Sequence, residues 1–212
     1  GEQRPQAVTA GDRVVRLRDG VIDLGLAPSA GGAIAWFRTG TGVDCIDWLR
    51  PATPAALAAG HAEAMGCFPL VPFSNRIRDG RFCFRGQMVE MPPNVVGQAH
   101  VEHGHGWQSA WSIVKQSGTA ATIELAHEAD EWPFAYTARQ EFSLVPDGLA
   151  ITLSVQNTGL RPMPVGLGLH PYFPRSRTTR LTAAVGQMWA TDREVMPTAL
   201  VSPPATCGFD RG

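Results

Sequence analysis

The sequence predicts an all-β fold, a large antiparallel β-sandwich, and three observations support that prediction. Apolar residues recur at every second position along most of the chain, which is the spacing of strands with one buried face. The 212 residues include 23 Gly and 17 Pro, a proportion that long helices tolerate poorly and that short strands joined by turns use well. Turn dipeptides also separate the alternating segments at short intervals.

Two hairpins are predicted in the first quarter of the chain. Their strands are Asp12–Arg18 with Val21–Ala27, and Ala33–Arg38 with Val43–Leu49. An Asp-Gly dipeptide at 19–20 is a common tight turn between strands, and the glycine-containing segment 39–42 separates the second pair. Pro51–Met65 is rich in Ala and carries two early prolines. This segment is interpreted as a loop or a short helix.

The strand pattern continues through the middle of the chain. The predicted strands there are Arg81–Arg85, Trp111–Gln116, Ala120–Glu128 and Ala135–Val145, and a further strand carries Leu149, Ile151, Leu153 and Val155. A Pro-Asp-Gly turn at 146–148 joins the last two, and apolar residues alternate on both sides of it. We expect a single sandwich domain over residues 1–212.

Charge and composition exclude several classes of partner. With 18 Lys and Arg against 19 Asp and Glu, the net charge is −1, which provides no electrostatic footprint for nucleic acid or an anionic membrane. The four cysteines form no Cys-x-x-Cys pair, and no apolar run reaches membrane-spanning length. No signal-peptide pattern opens the sequence. A cytoplasmic location is expected, with an already cleaved signal left open, and the oligomeric state is not indicated.

Three of the six histidines fall within six positions. They lie in the run His100-Val101-Glu102-His103-Gly104-His105-Gly106-Trp107, and Trp111 follows. Exposed aromatic planes beside polar groups suit a sugar ring, so Trp107 and His105 are candidate substrate contacts. A cupin-like metal site built from His100, His103 and His105 is an alternative, although no carboxylate follows at the spacing such sites use. A surface loop without function is the third interpretation.

Two further segments carry candidate functional residues. His170 precedes Pro171, which favours an extended backbone and places the imidazole at the end of a strand, where it suits acid–base work. A structural, hydrogen-bonded histidine is the alternative interpretation. Asn75 and Arg76 follow an apolar loop stiffened by two prolines. The five fixed donors of an arginine suit hydroxyl or carboxylate binding, whereas an arginine that holds loop carbonyls is the alternative.

Taken together, these segments resemble the aldose 1-epimerase (galactose mutarotase) family. The matching pieces are Asn75-Arg76-Ile77, Gly80-Arg81-Phe82, Phe84-Arg85-Gly86, His103-Gly104, Gly168-Leu169-His170-Pro171-Tyr172-Phe173, Asp192-x-Glu194-x-Met196-Pro197-Thr198 and Phe209-Asp210. Ala199 stands where the family usually has Gly. Each piece alone is weak, but their shared order and spacing extend from about residue 20 to the last residue.

The resemblance implies a sugar cleft on a β-sandwich and interconversion of the α and β anomers of an aldose. It implies that His170 is the general acid that protonates the ring oxygen. His103 would help to hold and polarise that oxygen, and Arg76 would bind sugar hydroxyls. No metal or organic cofactor is needed, because two positioned acid–base groups suffice for ring opening. His105 has no firm counterpart in the family pattern.

The family pattern also includes residues that this sequence does not contain. The resemblance implies a glutamate general base near the C-terminus, preceded by a substrate-binding Asp and Gln, and the 212 residues end before those positions. We therefore expect the sequence to be part of a longer chain. A free hexose is the expected substrate. The alternatives are a hexose 6-phosphate, for which Arg76, Arg78, Arg81 and Arg85 would provide charge, and a non-catalytic carbohydrate-binding domain.

Overall fold

The computed structural model describes residues 14–204 and confirms the predicted all-β class. The first strands are β1 (Val15–Asp19), β2 (Ile22–Ala27), β3 (Ala33–Thr39), β4 (Ile46–Asp47), β5 (Cys67–Leu70), β6 (Arg76–Ile77), β7 (Arg81–Phe84), β8 (Gln87–Glu90) and β9 (Val101–Glu102). They are followed by β10 (Ser112–Gln116), β11 (Ala120–His127), β12 (Tyr136–Val145), β13 (Gly148–Asn157), β14 (Gly168–Pro171), β15 (Met188–Thr191) and β16 (Pro197–Val201). The α-helix is α1 (Pro54–Ala59). No helix within residues 14–204 is long and apolar enough to cross a membrane.

The chain divides into two compact units, Gly1–Pro174 and Arg175–Gly212. The described part of the second unit contains the β15–β16 hairpin. Its turn is closed by the Asp192 carboxylate, which accepts hydrogen bonds from the backbone N–H groups of Glu194 and Met196. The sequence-based prediction of one sandwich domain over residues 1–212 stays a prediction. Phe209-Asp210, the last piece of the family pattern, lies outside the described residues.

A six-stranded antiparallel sheet has the order β1-β2-β3-β5-β14, with β4 paired to β3. The predicted hairpins fall here, but the strand expected over Val43–Leu49 shortens to β4. Residues Gly42–Asp44 form a 3-10 turn instead. Beyond β4, the N–H groups of Trp48 and Leu49 both point to the Phe37 carbonyl, an irregular pairing that ends the ladder.

A second antiparallel sheet has the order β10-β11-β12-β13. The alternation predicted for β12 is confirmed, because the side chains at every second position from Tyr136 to Leu144 are buried. Gln140 lies on this buried face and is 2% exposed. Its Nε2 donates to the Gly32 carbonyl oxygen at 2.9 Å, so the amide is satisfied and links the two sheets.

The largest hydrophobic core lies between these two sheets. Leu17 and Leu24 from the first sheet share one buried cluster with Ile123 and Phe142 from the second. A smaller buried cluster contains Phe68, Trp107 and Met65 together with small residues, among them Ala27 and Ala33. This smaller cluster lies beside the candidate site and supports it.

The ambiguous segment 51–65 contains the short helix. The Thr53 hydroxyl accepts from the Ala56 N–H at 3.1 Å, which caps the N-terminus of α1. The helix ends at Gly60, whose φ of 71° is the left-handed conformation common after helices.

Candidate active site

His170 lies where strands β14 and β5 pair at the edge of the six-stranded sheet. The register places His170 opposite Phe68, and their rings stack with centroids 4.6 Å apart at 14°. Tyr172 packs on the imidazole at 4.8 Å. The prediction that His170 lies at a strand end is confirmed. Its Nδ1 is buried and has no hydrogen-bond partner among the described residues, which makes this ring a candidate for function.

The Phe68 side chain organises both histidines of the family pattern. It is buried, stacks on Trp107 at 5.5 Å and contacts the His103 ring edge-on at 6.3 Å. As a result, the imidazoles of His103 and His170 lie with centroids 5.5 Å apart and planes inclined by 75°. The structure therefore brings the two predicted acid–base residues into one cluster.

His103 is held in place by Asn75 through two hydrogen bonds. The His103 N–H donates to the Asn75 carbonyl oxygen at 2.9 Å, and the Asn75 N–H donates to His103 Nδ1 at 3.0 Å. Both residues adopt left-handed backbone conformations, with φ near 60°. Because Nδ1 accepts a hydrogen bond, the neutral imidazole carries its proton on Nε2.

An ion pair beside His103 holds Arg76. Strands β6 and β9 pair Arg76 with Glu102, and an Nη2–Oε1 distance of 2.6 Å joins their side chains. The same Glu102 oxygen lies 3.6 Å from His103 Nε2. Burial is the main cause that lowers the pKa of His103, with Glu102 opposing it and His170 and Arg76 adding to it. These causes favour the neutral form of His103, which donates from Nε2.

The loop that carries His103 is clamped by Asn94, a residue that sequence reasoning did not single out. Asn94 Nδ2 donates to the carbonyl oxygens of Glu102 and Gly104 at 2.7 and 2.9 Å. Its Oδ1 accepts from the Glu102 N–H at 2.8 Å. Three hydrogen bonds from one half-buried amide therefore fix the backbone on both sides of His103.

Replacing Gly104 by alanine is expected to lower the free energy of unfolding by roughly 2–4 kcal/mol, the sum of a left-handed backbone cost and a packing clash. Gly104 has a φ of +67°, and an added Cβ would lie 2.2 Å from the Val71 carbonyl oxygen. Gly86→Ala is the matched control, because Gly86 has a φ of +79° and nothing within 4 Å of such a Cβ. Urea denaturation should show a clearly larger decrease in the free energy of unfolding for Gly104→Ala than for Gly86→Ala. Equal decreases would contradict a clash with the Val71 carbonyl oxygen.

The two tryptophans of the histidine run are buried, whereas the sequence analysis expected exposed rings. Trp107 and Trp111 are only 9% and 4% exposed. Each indole Nε1 donates to a nearby carbonyl, that of Gly104 at 3.1 Å and that of Gly106 at 2.9 Å. The glycines bring the loop backbone close enough for these hydrogen bonds, so the rings turn inward. A sugar contact by Trp107 stays a prediction.

His105 belongs to a separate cluster. Its Nε2 lies 2.6 Å from the Tyr136 hydroxyl, and its ring packs on His127 with centroids 4.1 Å apart. None of the contacts described for His105 joins it to His103 or His170, so its role as a substrate contact stays a prediction. Burial lowers the pKa of His105 to about 4, with His127 adding to the shift and Asp130 opposing it.

The His105 pKa implies acid sensitivity. Since its pKa falls from the ordinary histidine value of 6.5 to about 4 on folding, the unfolded chain takes up this proton first as the pH falls. Stability is therefore full above pH 6.5, decreases as the pH falls towards 4, and levels off below that. From pH 7 to pH 5 we expect a loss on the order of 2 kcal/mol. In urea denaturation at both pH values, His105→Gln should show a smaller loss, and an unchanged one would exclude His105 as its source.

The three histidines of the proposed cupin-like metal site do not converge. His100 Nδ1 accepts from the Asp79 N–H at 3.0 Å, whereas His103 and His105 contact Asn75 and Tyr136. Within residues 14–204, no group of three His, Cys, Asp or Glu side chains is placed to hold a metal ion. The described geometry thus gives no support to the metalloprotein alternative.

An antiparallel β-sandwich that carries a pair of adjacent histidines is compatible with a sugar-binding or sugar-converting protein. The profile of the aldose 1-epimerase family matches residues 27–211, and the chain belongs to that family. Uncharacterized protein YphB of Escherichia coli (strain K12) is 38% identical over 146 residues, which are 69% of this chain and 48% of YphB. The chain thus spans about half the length of that relative.

Solved structures show the same fold. The crystal structure of an aldose 1-epimerase candidate from Escherichia coli K12 aligns with a TM-score of 0.84 and 33% identity, over 93% of this chain and 65% of the other. A galactose mutarotase-like protein from Clostridium acetobutylicum aligns with a TM-score of 0.78 and 19% identity, over 94% and 64%. At that identity, the second similarity shows the fold alone.

Proposed function

We propose that this protein is an aldose 1-epimerase that interconverts the α and β anomers of a free hexose. One observation is central to the proposal: the imidazoles of His103 and His170 share an aromatic cluster, 5.5 Å apart, beside an arginine. Family membership supports the same reaction class. Mutarotation requires cleavage and re-formation of the C1–O5 bond, rotation about C1–C2 and the accompanying proton transfers. Two positioned imidazoles are chemically suited to assist those proton transfers.

His170 is proposed as the general acid. Its Nδ1 is buried without a partner among the described residues, which leaves Nε2 to exchange a proton with a ligand. The imidazolium gives this proton to the ring oxygen as the C1–O5 bond breaks, while a base removes the proton of the C1 hydroxyl and C1=O forms. After rotation about C1–C2, O5 attacks the other face of C1=O and the two proton transfers run in reverse, which gives the other anomer. By resemblance to the family, the base is expected to be a glutamate.

His103 is proposed as a hydrogen-bond donor to the same region of the sugar. Its Nδ1 is occupied by the Asn75 N–H, so a neutral His103 presents Nε2–H. A donor fixed before the substrate arrives stabilises negative charge that develops on an oxygen. Arg76 supplies further donors at the same loop, and it orients hydroxyls while His170 transfers the proton.

A non-catalytic carbohydrate-binding domain is the second candidate function, and one observation favours it. The carboxylate that contacts His103 belongs to Glu102, which is already engaged by Arg76. A carboxylate oxygen that already accepts from a guanidinium is less available to a sugar hydroxyl. A protein with this donor set and no other base would bind a sugar and leave its anomers unchanged.

Polarimetry separates the two candidates. Freshly dissolved α-D-glucose and α-D-galactose are followed with and without the purified protein, and glucose 6-phosphate is tested in parallel by anomer-resolved NMR. The epimerase proposal predicts a rate proportional to protein concentration for at least one free hexose. Sugar binding without any such acceleration would support the binding domain and overturn the proposal.

A further inference from the structure

The Glu102 side chain connects the two polar groups of the candidate site. Its Oε1 lies 2.6 Å from Arg76 Nη2 and 3.6 Å from His103 Nε2. We propose that Glu102 is a positioning and specificity-determining residue, which fixes Arg76 and His103 relative to each other and makes the site select neutral sugars over anionic ones. This inference rests on the proposed function.

The backbone of Glu102 is anchored on both sides of its Cα. The N–H and carbonyl groups are both bonded to the Asn94 amide, and the Trp107 indole Nε1 also donates to the carbonyl at 3.3 Å. The β6–β9 register places Arg76 directly opposite. These three hydrogen bonds fix the main chain of Glu102. Its side chain therefore extends from a fixed position, which helps to hold Arg76 and His103 in place.

Arg76 and Glu102 are mostly buried, so the charge of each acts strongly on the other and on a bound ligand. The Arg76 and Glu102 side chains are 18% and 15% exposed. An arginine this buried and unpaired would attract a phosphate or carboxylate, since the guanidinium fork fits both groups. Glu102 binds one nitrogen of that fork and offsets its charge. An anionic sugar would therefore gain no net attraction from the Arg76–Glu102 pair, and its negative group would meet the Glu102 carboxylate, which disfavours binding at close range.

Two of the other arginines considered for a phosphate, Arg81 and Arg85, lie away from the histidine pair. Arg81 lies 3.4 Å from Glu90 in a mostly exposed pair on β7 and β8. Arg85 lies over the Phe84 ring at 5.8 Å. Both belong to the separate β7–β8 hairpin, and none of their described contacts involves His103 or His170. These two arginines therefore give no support to a phosphate site beside the histidine pair.

Glu102 also acts on His103. The distance of 3.6 Å to Nε2 is too long for a hydrogen bond, so Nε2–H stays available to a sugar while the carboxylate acts on the imidazole through its charge. Its charge raises the His103 pKa against the effect of burial. Removing that charge should therefore lower the His103 pKa further, an effect that requires no sugar.

The test is Glu102→Gln, which keeps the shape of the side chain and removes its charge. The matched control is Glu124→Gln, since Glu124 pairs with Arg139 at 2.6 Å on β11 and β12, the central strands of the second sheet. Mutarotation is measured for glucose and glucose 6-phosphate. We expect Glu102→Gln to raise the glucose KM about tenfold and to raise the ratio of kcat/KM for glucose 6-phosphate over glucose at least tenfold, about the effect of one charged contact. An unchanged ratio would overturn the specificity role.

A second readout works whether or not the protein is an epimerase. The His103 ring proton is titrated by NMR in the wild-type protein, Glu102→Gln and Glu124→Gln. The inference predicts a lower midpoint in Glu102→Gln alone, and an equal midpoint in all three would overturn the positioning role. If no sugar is turned over, the proposed function fails, while this titration still decides the role of Glu102. Should Glu102→Gln unfold, the double variant Arg76→Gln with Glu102→Gln is titrated against Arg76→Gln alone. A lower His103 midpoint in the double variant is then expected, and an equal midpoint would overturn the positioning role.

Discussion

Replacing His170 by asparagine is expected to reduce kcat for anomer interconversion by about 10²–10⁴-fold, the usual contribution of a general acid. Asparagine fills part of the imidazole volume but cannot hold a transferable proton at neutral pH. Since proton transfer to the ring oxygen occurs only in the transition state, the loss should appear in kcat, with KM changing little. Polarimetric initial rates over a range of sugar concentrations separate the two parameters.

The fold of the His170→Asn variant should remain intact. The loss of the ring stack with Phe68 costs about 1 kcal/mol of stability, which thermal denaturation would register as a small shift. His61→Asn is the matched control, because His61 is exposed and none of its described contacts reaches His103 or His170. A His170→Asn rate near that of the wild type would show that another group protonates the ring oxygen.

Replacing Arg76 by alanine is expected to raise KM by about 10–100-fold, the range for loss of a buried, charge-assisted hydrogen-bonding group. The decrease in kcat should not exceed the rise in KM, since Arg76 is proposed to bind hydroxyls and not to transfer protons. The variant also leaves Glu102 buried beside His103 without its cation, which lowers stability. Activity is therefore assayed well below the melting temperature of the variant.

Arg139→Ala is the control for this variant. Arg139 forms the comparable ion pair with Glu124 on β11 and β12, but none of its described contacts involves the histidine pair. The Arg139→Ala variant should lose little stability, because an exposed ion pair usually contributes little to the free energy of unfolding. Its kinetic parameters should stay at wild-type values. An unchanged KM in Arg76→Ala would place Arg76 outside the sugar site.

The strands were predictable where one face is buried and the turn is local. In β12 and β13, alternation and a Pro-Asp-Gly turn located both strands to within a few residues. The partner expected for β3 was overestimated, because Gly42–Asp44 forms a 3-10 turn ahead of it and only Ile46–Asp47 pair with β3. Alternation reports which side chains face a core, and it does not report where pairing ends.

The candidate site was predictable only in part. Short motifs identified His103 and His170, and the structure places them together. The roles of Phe68 and Glu102 depend on the β5–β14 and β6–β9 registers, which join segments distant in sequence and have no local signal. The role of His105 as a substrate contact stays a prediction, and its spacing from His103 does not reveal that it contacts Tyr136 and His127 in another cluster.

The most direct test of the central claim is two-dimensional exchange NMR on an equilibrated hexose with the purified protein. Cross-peaks between the α and β anomeric protons report interconversion without the need for a pure anomer. The account predicts cross-peaks that grow with wild-type protein and fall to the buffer level with His170→Asn. Cross-peaks at the buffer level with the wild-type protein, for both glucose and galactose, would contradict it.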